Sequence, residues 1–171
     1  MNTGNTIGDL IDIGADKWGN EREALVSVHQ VGFFFRTILL INDFLKNIRK
    51  GFLDIKEEAD KFATGLLALG LRPGDRVGIW GPNTYEWYLT QMVAAKLGAI
   101  LVNINPAYQP GELKYCLNKV GVKAVVASKT FKTQDYYSML KEVLPEIGSS
   151  KSGTVDSFNT KYSQFINIKT G

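Results

Sequence analysis

Several stretches of the chain bring together residue types that could do chemistry. Gly78-Ile79-Trp80-Gly81 sets two glycines at the end of a β-like run, where phosphate oxygens could meet backbone N–H groups. The spacing argues otherwise, because there is neither a G-x-G-x-x-G pattern nor a Walker lysine. The residues predict a strand end and a tight turn, in which Gly81 permits positive φ and Pro82-Asn83 opens the next helix. Asn103-Ile104-Asn105-Pro106-Ala107-Tyr108 falls at the carboxyl end of a second β-like run. Open α/β sheets bind ligands there, so on topology this is the best site candidate. Asn before Pro is equally ordinary turn chemistry. Glu57-Glu58 pairs two carboxylates in sequence, but adjacent helix residues point apart, which predicts a solvated face. Cys116 sits among Leu113, Leu117 and Val120 and reads as a small core residue. His29 lies in the strand-like run 24–30 and reads as a solvated or hydrogen-bonded histidine.

Those residues need elements to carry them. Residues 6–18 read as a short helix capped by Thr6, with Ile7, Leu10, Ile11 and Trp18 on one face. Residues 23–30 alternate as a strand. Phe52 to Leu69 is the clearest helix, with an apolar face of Phe52, Ile55, Ala59, Phe62, Ala63, Leu66, Leu67 and Leu69 that Gly70 ends. A strand at 76–80, a helix from 83 or 84 to 97, a strand at 100–105, a helix at 112–120, a strand at 123–128 and a helix at 133–144 follow. Such alternation predicts right-handed βαβ units and an α/β fold, a mostly parallel sheet flanked by helices. Residues 149–171 are rich in Ser, Thr, Asn and Lys without a sustained period, and read as a polar tail, loop or disordered.

Composition narrows the function classes. The formal net charge of +3 and the absence of a long Lys/Arg run argue against nucleic acid. With 1 cysteine and 1 histidine, neither an intramolecular disulfide nor a Cys/His zinc site can form. The amino-terminal residues have no basic region followed by an apolar core, and no apolar run reaches the roughly 20 residues of a membrane span.

The segment from Gly65 to Ile147 resembles the amino-terminal lobe of the adenylate-forming, AMP-dependent synthetase/ligase superfamily. GPNTYEW at 81–87, LVNINPAY at 101–108 and FKTQDYY at 131–137 are similar to the mitochondrial medium-chain acyl-CoA synthetase branch. FLDIKEEADKFATGLLALG at 52–70 and TIGDLIDIGADKWGNEREAL at 6–25 fit the same branch. The resemblance implies a two-step ligase in complete relatives. A fatty acid carboxylate attacks the α-phosphate of ATP, giving acyl-AMP and pyrophosphate, with magnesium offsetting phosphate charge. The thiol of coenzyme A then displaces AMP.

The family's TSGTTGxPKG phosphate loop, and its ribose, arginine and lysine motifs, are not among these 171 residues. Phe165-Ile166-Asn167-Ile168 only resembles the strand that precedes that loop. The resemblance therefore assigns no catalytic, cofactor-binding or metal residue here, and none of those cofactors is expected on this chain. It implies a partial amino-terminal domain over 1–148, inactive alone, with an incomplete gene model or a non-catalytic interaction module as alternatives. It implies a mitochondrial location, whereas the lack of a visible targeting segment suits the cytosol. Residues 31–46, VGFFFRTILLINDFLK, depart from the family pattern and read as an insertion. Val codons begin with GT and Lys46 could be AAG, the ends of an intron. The rival reading is an amphipathic helix, Thr37 to Lys50, whose basic end of Lys46, Arg49 and Lys50 contacts a membrane or a protein weakly.

Overall fold

The computed structural model describes residues 6–27, 48–128 and 130–148, and the backbone of 164–167. His29 and the segment 31–46 lie outside the described residues. The chain divides into two compact units, one of residues 1–65, 83–97 and 170–171, the other of residues 66–82 and 98–169.

The first unit holds α1 (Ile7–Trp18), β1 (Glu23–Ser27), β2 (Ile48–Gly51), α2 (Phe52–Ala68) as far as Gly65, and α3 (Tyr85–Leu97). β2 takes the last part of the span 37–50 that the rival reading makes an amphipathic helix. Thr6 caps α1 as expected, accepting from the Asp9 N–H at 3.1 Å while its own N–H donates to the Asp9 carboxylate at 2.7 Å. The apolar stripe expected to bury α1 does not do so. Ile7 is 64% and Leu10 56% exposed, and the buried residues are Gly8, Gly14 and Ala15. Small side chains win because they let backbones approach. A Cβ at Gly8 would lie 3.1 Å from Lys96 Cα of α3, and one at Gly14 would lie 3.0 Å from the Phe52 ring. Trp18 then packs on Phe52 with ring centroids 4.9 Å apart.

Charge locks the same three helices. Lys96, only 11% exposed, pairs with Asp12 of α1 and with Asp60 of α2, the latter at 2.8 Å, while Lys56 binds Asp60 at 3.0 Å. Burial opposes the Lys96 ammonium, yet its hydrogen bonds to Asp12 and Asp60 outweigh that and raise its pKa. Burial likewise opposes the Asp60 carboxylate, and the hydrogen bonds from Lys96 and Lys56 hold its pKa down. Glu57 is exposed, but Glu58 departs from the solvated face expected of it. It accepts from the Tyr85 hydroxyl at 2.7 Å and pairs with Lys50. On α2 the expected face is buried at Ile55, Ala59, Ala63 and Leu66, whereas Leu67 stays 41% exposed.

The second unit is built on β3 (Arg76–Trp80), β4 (Ile100–Ile104), β5 (Ala124–Ala127) and β8 (Gln164–Asn167), a parallel sheet in the order β4-β3-β5-β8. The strand at Gln164–Asn167 corrects the loop expected there from polar composition, since its backbone pairs with Ala124–Ala127. α4 (Pro110–Val120) and α5 (Tyr136–Val143) cover one sheet face, with Trp80, Ile104, Val125, Leu113, Leu117, Tyr136 and Leu140 in one core. Val77, Ile79 and Val126 of the other face are buried too, as parallel strands require.

Two helix starts differ from expectation. α4 begins at Pro110, two positions early, because proline at the first helical position gives up no useful N–H. α5 begins at Tyr136 because the preceding residues fold into a small hairpin, β6 (Thr130–Phe131) with β7 (Gln134–Asp135). Lys132 turns that hairpin with φ 53°, and the Asp135 carboxylate then caps α5 by accepting from the Tyr137 and Ser138 N–H groups.

Replacing Lys96 by Met leaves Asp12 and Asp60 short of a cation, and costs about 2 kcal/mol, between exposed and fully buried pairs. Asp60 has a depressed pKa when folded, so its contribution is present above the unfolded value and is lost as pH falls through the folded one. Urea unfolding from about pH 5 down to about pH 2 should therefore show a steeper acid loss in wild type than in Lys96→Met. Equal slopes would show that the pairing adds nothing.

Candidate functional site

The carboxyl ends of β3, β4 and β5 meet at Trp80-Gly81, Ile104-Asn105 and Ala127-Ser128. Gly81 does not take the positive φ that its type would permit, since its φ is not in the left-handed region. A Cβ at Gly81 would fall 2.5 Å from Ser128 Oγ, so the constraint is close approach. The Ser128 N–H donates to the Trp80 carbonyl at 3.1 Å, which ties the two strand ends together. Gly78 is under the same pressure from Ile104 Cδ1, 2.8 Å from where its Cβ would be. Both glycines thus sit where neighbouring side chains leave little room for a Cβ.

The turn after β4 is held from three sides. Asn105 Oδ1 accepts from the Ala107 N–H at 2.9 Å, and the Tyr108 N–H donates to the Asn105 carbonyl at 3.1 Å. This is the Asx geometry that Asn-Pro-Ala predicts. Trp80 Nε1 donates to the Asn105 carbonyl at 3.1 Å, and the Tyr136 hydroxyl donates to the Pro106 carbonyl at 2.6 Å. The two rings stack with centroids 3.6 Å apart and an interplanar angle of 6°. Both are fully buried, and burial raises the Tyr136 phenol far above its ordinary pKa, so it stays a donor. Gln134 reaches the Ala107 carbonyl from β7 at 3.5 Å.

Sequence reasoning placed the turn but missed its holders. Trp80 and Tyr136 stand apart in the chain, and only the sheet register brings them together. The available signals were an aromatic residue closing an interior strand and another directly after a capping Asp.

Cys116 was expected in the core. It is half-buried at the core's rim, and burial raises its thiol pKa, which leaves it a poor nucleophile. With Tyr108, Glu112, Tyr115 and Lys119 it lines an open groove of about 540 Å³ along α4. Among the described residues no three His, Cys, Asp or Glu side chains converge on a metal position. The strand-end platform of Trp80, Asn105, Pro106 and Tyr136 carries no charge. Trp80 and Tyr136 are themselves buried, so what reaches the surface is the uncharged turn that they hold.

Tyr136→Phe removes one donor and leaves the Pro106 carbonyl without its hydroxyl partner. The expected loss is about 1–2 kcal/mol in chemical denaturation, with the Trp80 fluorescence maximum little changed. A loss well below that range would mean that the hydroxyl does not restrain the turn.

Comparison with known proteins agrees with this architecture. Residues 28–165 match the family model described as AMP-binding enzyme. The chain is 47% identical over 152 residues to the mitochondrial medium-chain acyl-CoA ligase ACSF2 of Rattus norvegicus, and 45% identical to that of Homo sapiens. Each alignment covers 89% of this chain, which spans only 22% of the relative's length. The fold is shared with a long-chain-fatty-acid-CoA ligase from Archaeoglobus fulgidus, at TM-score 0.67 and 22% identity over 96% of this chain and 27% of that one. It is shared too with a putative long-chain-fatty-acid CoA ligase from Rhodopseudomonas palustris, at TM-score 0.65 and 23% identity over 96% of this chain and 33% of that one. The βαβ succession, the strand-end turn and the matched span together place this chain in the AMP-binding enzyme family.

Proposed function

We propose that the chain forms the amino-terminal βα units of a medium-chain fatty acid–CoA ligase, joining a fatty acid to coenzyme A with ATP cleaved to AMP and pyrophosphate. The observation that carries this reading is the 47% identity to ACSF2 across 89% of the chain. The relatives' mitochondrial designation supports the same compartment for this protein. No helix among the described residues is long and apolar enough to cross a membrane.

Gly78 and Gly81 face Ile104 and Ser128, and among the described residues no three His, Cys, Asp or Glu side chains converge as a metal site. On this reading the chain contributes no step of the chemistry. It supplies a rigid sheet whose carboxyl-end turn, Asn105–Tyr108, is clamped by Trp80 and Tyr136. A pyrophosphate-release assay on the 171-residue chain, with ATP, magnesium, medium-chain acids and coenzyme A, is expected to give no turnover. ATP-dependent release by the pure chain would overturn the assignment of a scaffold role.

The insertion reading of 31–46 has support from strand register. β1 and β2 pair antiparallel with Ser27 opposite Ile48, so the ladder closes on either side of residues 28–47. Removing 31–46 leaves Val28, His29, Gln30 and Asn47 as the connection, a length that hairpins commonly use. Shortening the connection lowers its closure entropy by roughly 1.4 kcal/mol on logarithmic scaling. The deleted chain is expected to fold with equal or slightly higher stability in urea. A deletion that abolishes cooperative unfolding would show that the segment belongs to the fold.

A further inference from the structure

We draw no further inference here: the strongest candidate, the open groove along α4 lined by Tyr108, Glu112, Tyr115, Cys116 and Lys119, carries nothing because nothing in the structure shows what covers it.

Discussion

A buried indole closing an interior strand organises the second unit. Trp80 is the last residue of β3, which lies between two parallel neighbours and is covered on both faces. A parallel strand in that position can end only where its final polar groups find partners. The Trp80 carbonyl accepts from Ser128 and its indole N–H donates to Asn105, so one residue joins the ends of three strands. Tyr136 stacks on the indole and extends the grip to Pro106. Gly78 and Gly81 flank this residue, and a Cβ at either would meet Ile104 or Ser128.

The first unit rests on different physics. α1 meets its neighbours at Gly8 and Gly14, which contribute no side-chain area of their own. Lys96 compensates by reaching both neighbouring helices from a nearly buried position, with a carboxylate on each. Such pairing is strong only while both signs are present, and that separates this unit from the apolar core around Leu113, Leu117 and Leu140.

Much of this was legible in the chain. The βα alternation from residue 52 onward, the Thr6 cap and the Asn-Pro turn all follow from local rules, because each depends on neighbours in sequence. The failures were non-local. Ile7 and Leu10 satisfy helical periodicity yet remain exposed, because periodicity does not report which face a glycine lets another helix approach. Glu58 looked solvated because its partners, Lys50 and Tyr85, are set by tertiary packing. The hairpin before α5 was hidden because each of its strands is only two residues long, and the left-handed φ of Lys132 is a cost that the β6–β7 pairing sustains. Of the candidate site, the location could be read and the clamp could not.

Trp80 and Tyr136 both hold main-chain oxygens of the turn after β4. Their grip is indifferent to which side chains the turn carries beyond the proline. Exposed Ala107 can therefore change identity over evolutionary time while the backbone beneath it stays in place, whereas Tyr108 packs against the core. A turn anchored in this way separates the durability of a loop from its chemistry, so descendants of one scaffold can diversify what they display at a strand end without first having to restabilise it.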